Sequence, residues 1–204
     1  MRGPKEKIER ALGVRLGLKA ERSDTPKSAV VRKPYPPGAH GNSRRRSASD
    51  YGLQLKEKQK FKVSYGLKEH QLEKIFHRGI TSSRVTRDKI FELLESRLDN
   101  IVFRGGLTRS RSIARQAVIH GHISINGRKV TYPSYELKVG DTVSISASSR
   151  DLALFRHLPE TLKKYEPPVW LLLDSAKTEV KVIAHPSDID LPFDVNLVVE
   201  YYSK

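Results

Sequence analysis

The sequence predicts an α+β protein: a helical N-terminal domain with an extended basic arm, then an α/β module of helices packed on a small, mostly antiparallel sheet. Three observations predict it. Between residues 50 and 103 apolar side chains recur at helical spacing, with Leu72, Ile75 and Phe76 on one stripe and Ile90, Phe91, Leu94, Leu98, Ile101 and Val102 on another. From 122 onward short runs alternate with turn signals, above all Asn126-Gly127, a pair that accepts the positive φ a type I′ hairpin turn demands. The first 50 residues instead scatter Pro and Gly (Pro4, Gly13, Gly17, Pro26, Pro34, Pro36, Pro37, Gly38, Gly41) and lack sustained periodicity.

Charge narrows the class of partner. The 204 residues hold 38 Lys+Arg against 23 Asp+Glu, a net charge of +15 with a pI near 10. An excess of that size attracts polyanions, whether nucleic acid or an anionic membrane surface. It is also segregated: residues 27–68 carry 11 basic and 2 acidic side chains, residues 97–130 carry 7 and 1, and residues 174–204 carry 3 and 6. The longest apolar run, VWLLL at 169–173, is far below the roughly 18 residues of a bilayer span. MRGPKEKIER has no secretory hydrophobic region, so the expectation is a soluble intracellular chain with no membrane partner. The absence of cysteine excludes disulfides, thiolate metal sites and thiol nucleophiles.

Taken in order, residues 1–50 read as an extended arm, with Leu12, Val14, Leu16 and Leu18 as a short apolar element. Its basic side chains, Lys33, His40, Arg44, Arg45 and Arg46, have little apolar support and would order on a partner. Residues 51–96 form the helical domain, completed by 185–204. A helix over Asp50–Tyr65 is capped by Ser49 and anchored by Leu55, with Phe61 and Tyr65 as an i,i+4 aromatic pair. Lys56 with Lys60, and Lys58 with Lys62, are like-charge i,i+4 pairs, each costing a few tenths of a kcal/mol in an isolated helix, a cost that phosphates would relieve. Tyr51, Gln54, Gln59 and Tyr65 lie among these lysines as stacking or hydrogen-bonding candidates. A second helix covers 67–78 and stops at Gly79. A single helix over 86–103, ended by Gly105-Gly106, bridges to the module, with Leu94, Leu98 and Phe103 as packing residues only.

The module spans 97–184. Thr108 caps a helix over 109–119 whose stripe of Ile113, Ala114, Ala117 and Val118 faces a core. Arg104, Arg109, Arg111, Arg115 and Gln116 offer a basic face, which His120, His122, Asn126, Arg128 and Lys129 of the hairpin extend. A basic helix face joined to a basic hairpin can grip a phosphate backbone from two sides. Beyond Ile145 come a short helix, strands in VWLLLD and TEVKVIA around a turn at 175–177, and a loop. NLVVEYY favours strand by propensity, with a terminal helix as the alternative.

RLDNIVF, TRSRSIARQAVIHGHISINGRKV and PSYELKVGD resemble the RNA-binding domain named after small-subunit ribosomal protein S four. PPGAHG, SDYGLQLKEKQKFKVSYGL and the ending NLVVEYYSK resemble the bacterial and organellar S four family itself, in its cysteine-free branch. The resemblance covers nearly the whole chain and is weakest over the first 30 residues. It implies a structural constituent of the small ribosomal subunit, cytoplasmic or organellar, that nucleates assembly on a multi-helix junction in the five-prime domain of 16S rRNA. It further implies contact with neighbouring small-subunit proteins, notably the one numbered five. Messenger RNA would be met where it enters the subunit, through residues such as Arg44 to Arg46, with an influence on decoding accuracy. Some members also repress their own messenger or act in antitermination.

No catalytic constellation competes with this reading. His120 and His122 flank Gly121 with no third ligand at metal spacing, and no P-loop, GxGxxG or nucleophile elbow occurs. The expectation is a non-enzyme without cofactor or metal. A free RNA chaperone is the first rival, opposed by the PPGAHG flank. An RNA-modifying enzyme is the second, opposed by the lack of room for a catalytic domain after the module.

Overall fold

The computed structural model describes residues 4–19, 25–43, 47–187 and 193–203. Arg44, Arg45 and Arg46 lie outside them. Helices α1 (Lys5–Leu12), α2 (Ala29–Arg32), α3 (Asp50–Ser64) and α4 (Glu69–Ile80) open the chain. They are followed by α5 (Thr86–Glu95), α6 (Leu98–Arg104), α7 (Arg111–Ile119), α8 (Leu158–Leu162) and a closing α9 (Val195–Tyr202). Strands β1 (Ile123–Ile125), β2 (Arg128–Lys129), β3 (Thr142–Ile145), β4 (Leu171–Asp174) and β5 (Glu179–Val182) make one sheet. The fold is α+β, in two compact units: residues 1–87 with 190–204, and residues 88–189.

The first unit is helical. Ser49 caps α3, its Oγ accepting from the Gly52 N–H at 3.3 Å. The arm is less extended than its breakers suggest, because they mark the ends of a helix instead of preventing one. Pro4 stands at the N-cap of α1, and Gly13, at φ 70°, closes it by donating to the Glu9 carbonyl. The buried Glu9 carboxylate then accepts from the Leu16 and Leu18 N–H groups at 3.0 and 3.1 Å, and Leu12 and Leu16 cluster with Val63. Likewise Gly79 does not stop α4, which runs one residue further to Ile80 with Gly79 on its buried side.

NLVVEYY is a helix, against its β propensity. The Asp194 carboxylate caps it by accepting from the Asn196 N–H at 2.8 Å. Helical spacing also buries Val195 and Val198 while bringing the terminal tyrosines onto rings: Tyr202 meets Phe76 at 5.3 Å and Tyr51 meets Tyr201 at 5.8 Å between centroids. Phe61 packs edge-on against Phe76 at 5.7 Å and Phe193 at 4.5 Å. This aromatic burial outweighs a propensity difference of at most about 1 kcal/mol.

In the second unit the strands run antiparallel in the order β2-β1-β3-β5-β4. The β1–β2 turn has Asn126 at φ 49° and Gly127 at φ 78°, with Ile125 opposite Arg128, as a type I′ hairpin requires. Leu98, Ile101, Ala114, Val118, Ile123, Val143, Trp170 and Val180 belong to one core. The expected helix over 86–103 is broken: α5 ends at Glu95 and Arg97 is an extended N-cap to α6. Long-range partners take the backbone groups that a continuous helix would use. The Leu98 and Asp99 N–H groups donate to the Tyr135 and Pro133 carbonyls at 2.8 and 3.2 Å, and the Leu137 N–H donates to Ser96 at 2.8 Å. After α6 the glycines are needed for close approach, since a Cβ on Gly105 would lie 2.6 Å from Val180 and Gly106 adopts φ 77° beside Tyr165. The α7 cap is Ser110, not Thr108; Ser110 Oγ accepts from the Ile113 N–H, while Thr108 donates to the Ser110 carbonyl.

Candidate nucleic-acid interface

The lysine helix does not present a free basic row. Lys58, on the inner side of α3, is buried with its Nζ 2.7 Å from Glu69 Oε1, donating to the Tyr201 hydroxyl at 3.0 Å and lying 4.1 Å from that ring's centre. Lys62 pairs with the other Glu69 oxygen at 2.9 Å, and the buried Lys60 pairs with Glu57. Burial by itself would raise the Glu69 carboxyl, but hydrogen bonds from Lys58 and Lys62 outweigh it and hold it at about 2. Burial opposes charge on Lys58 too, yet its bonds to Glu69 and Tyr201 raise it. The like-charge pairs are thus relieved by the protein's own carboxylates, which corrects the idea that phosphates had to do so. Gln54 is also buried, donating to Glu200 at 3.0 Å, and so is Tyr65. On α3, Tyr51 and Lys56 remain exposed and Gln59 half-buried.

In the arm, Lys33 and His40 are exposed. Arg10, a residue the sequence did not single out, organises this stretch. Its guanidinium donates to the Tyr35 carbonyl at 2.9 and 3.1 Å and to the Lys33 carbonyl at 3.2 Å, and sits 4.9 Å from the Tyr35 ring centre.

In the second unit the arginines are held but not hidden. Glu95, fully buried, accepts a bidentate pair from Arg104 (Nε and Nη2, both 3.1 Å), binds the Asn100 amide and lies 3.8 Å from Arg111. Arg111 donates from Nε to Asn100 Oδ1 at 2.7 Å and stacks 4.7 Å over Phe103, which is therefore more than a packing residue. Asp99 takes a bidentate pair from Arg97 at 2.9 and 3.1 Å and a longer contact from Arg115 at 3.5 Å. The side chains of Arg104, Arg111 and Arg115 keep 25, 17 and 34% of their surface exposed. Around them Arg109, Gln116, His120, Arg128 and Lys129 are exposed. Asn126 is exposed but fastened, its side chain donating to Asp141 and accepting from the Thr142 N–H, both at 2.9 Å. His122 is half-buried against Ser149 at 3.0 Å. The sequence carried a signal for Glu95: a carboxylate next to Leu94 and one turn before Leu98, on a buried stripe, must find a cation.

Among the described residues no group of three His, Cys, Asp or Glu side chains could hold a metal, and no helix is long and apolar enough to cross a membrane. Two family profiles match in tandem: "Ribosomal protein S4/S9 N-terminal domain" over residues 1–95 and "S4 domain" over residues 96–143. The chain is 44% identical over 205 residues to small ribosomal subunit protein uS4 of Halothermothrix orenii, covering 100% of this chain and 98% of that protein. It is 44% identical over 204 residues to uS4 of Thermus thermophilus, covering 99% and 98%, and 47% identical over 194 residues to uS4A of Alkaliphilus metalliredigens, covering 94% and 93%.

Proposed function

The chain belongs to the family of small ribosomal subunit protein uS4, non-enzymatic structural constituents of that subunit, and from that premise we propose that it binds 16S rRNA early in assembly, at a multi-helix junction in the five-prime domain. The observation that carries this reading is the arginine-rich face of the second unit, where Arg104 is held in a bidentate pair, Arg111 is stacked over Phe103 and Arg115 is tethered to Asp99, with Arg109, Arg128 and Lys129 exposed in the same unit. Guanidinium forks match phosphate geometry, and a surface built this way reads backbone shape rather than base sequence. In the first unit the contacts fall to Lys33, His40, Tyr51, Lys56 and Gln59, while Gln54, Lys58, Lys60 and Tyr65 support them from inside. Separate weak contacts on one chain multiply through effective concentration. Neighbouring small-subunit proteins, including the one numbered five, and messenger RNA at Arg44 to Arg46 complete the set of partners, in cytoplasmic ribosomes.

The test is binding of the full chain to a five-prime-domain rRNA fragment across a salt series, against an unrelated RNA duplex of equal length. For six to ten phosphates, log K falls by roughly 0.7–0.9 per phosphate per decade of salt. Preference for the fragment that persists at high salt supports a primary assembly protein. Equal affinity for both RNAs leaves only a generic basic binder.

A further inference from the structure

Two carboxylates lie within the most basic face of the second unit, where a polyanion-binding surface gains nothing from negative charge. Glu95 is completely buried, and Asp99 is 5% exposed. Burying a carboxylate is costly even when it is paired, and well-packed apolar residues often serve stability as well or better. Stability is therefore a weak reason for two such anions here. Their geometry supplies a stronger one.

Glu95 engages Nε and Nη2 of Arg104, one edge of the fork, at 3.1 Å, which orients Nη1 on the opposite edge. Through Asn100 it also sets Arg111, whose plane is further fixed over Phe103. Asp99 does the same with Arg97 and reaches Arg115 across to α7. An arginine side chain loses rotamer entropy when immobilised. Here that loss falls at folding, before any RNA arrives, and the bound complex does not incur it again.

Resting on the proposal that this face binds rRNA, we infer that Glu95 and Asp99 are positioning residues: they fix the arginine forks of α6 and α7 in one phosphate-binding arrangement and trade general polyanion attraction for shape specificity. Positioning and simple electrostatics act with opposite sign when a carboxylate is neutralised. Neutralising a carboxylate raises the net charge by one and should strengthen binding to any RNA. Loss of positioning should instead weaken binding to the matching RNA alone.

The experiment measures affinity of full-length Glu95→Gln and Asp99→Asn for the five-prime-domain fragment and for the unrelated duplex, with melting curves to count the folded fraction. The expected result is an affinity about tenfold lower for the fragment, the worth of one charge-assisted contact, with the duplex unchanged or bound more tightly. A rise for both RNAs overturns the inference, and so does an equal loss for both that follows the folded fraction. Wild-type NMR decides it without any variant. Arg104 and Arg111 Nε–H order parameters in the free protein should approach the rigid-backbone value of about 0.85, well above those of Arg109 and Arg128. Values no higher than at Arg109 would overturn positioning. If wild type fails to prefer the fragment, the rRNA reading fails instead, and the order parameters still report on the forks.

Discussion

The two basic helices of this chain, α3 and α7, look alike in sequence and use their charge differently. On α3, two of the lysines at 56, 58, 60 and 62 are buried and three are paired with Glu57 or Glu69. On and beside α7, Arg104, Arg111 and Arg115 are also paired, with Glu95 or Asp99, yet stay partly exposed. The ammonium group is a compact point charge, so a buried pairing consumes it. A guanidinium is a planar fork with five donors, so one edge can bind a carboxylate while the other is offered outward. Pairing inactivates a lysine and aims an arginine.

The largest effect comes from removing the seat of α3. Phe61, fully buried and edge-on to Phe76 and Phe193, should cost about 3–5 kcal/mol as Phe61→Ala. Denaturant unfolding should show the loss of the first unit's signal.

Next, Lys58→Met keeps the apolar stem and removes the ammonium. It should destabilise the first unit by about 1–2 kcal/mol, since the Tyr201 and Glu69 bonds are lost. The folded fraction should still bind RNA within about twofold, because a buried, paired charge contributes little at long range. A loss as large as that of an exposed arginine would mean that the Lys58 charge reaches the RNA after all.

Acid tests the same pair. Glu69 sits at about 2 in the folded chain against 4.5 ordinarily, so its stabilisation is present above pH 4.5 and is lost as pH falls from 4.5 towards 2. With its side chain 44% exposed, solvent screening leaves a contribution of about 1 kcal/mol. Stability measured over that window should fall in wild type and stay flatter in Glu69→Gln.

The smallest effect belongs to the hairpin end of the arginine face. Arg128→Ala, at an exposed position, should leave stability within about 0.5 kcal/mol. Its affinity for the rRNA fragment should drop several-fold, with the salt slope reduced by roughly one phosphate's share.

Several elements were legible without coordinates. Ser49 as a cap, the Asn126-Gly127 turn, the stripe of Leu72, Ile75 and Phe76, and the turn between β4 and β5 are local features. Each follows from one residue's hydrogen-bonding reach, one allowed φ, or one period. The errors share another cause. The break at Ser96–Arg97 needs the Pro133 and Tyr135 carbonyls, 34 and 37 residues away from the N–H groups they receive. Helix α9 needs Phe76, and the Arg10 clamp needs Tyr35. At the site the same line divides the residues: Arg109, Arg128 and Lys129 could be read as surface cations from the pattern alone, whereas the destinations of Lys58 and Lys60 could not.

The partner's chemistry and the main elements are written in local features of the chain: a segregated +15 charge, one helical stretch, one hairpin and a family-specific succession of motifs. Charge sums and periodicities need no knowledge of distant neighbours. Which cations are spent inside and which are aimed outward is settled only by folding. That choice depends on where Glu69, Glu95 and Asp99 lie once the chain has closed, and a charge pair's worth is set by the distance and burial of both partners, not by either residue alone.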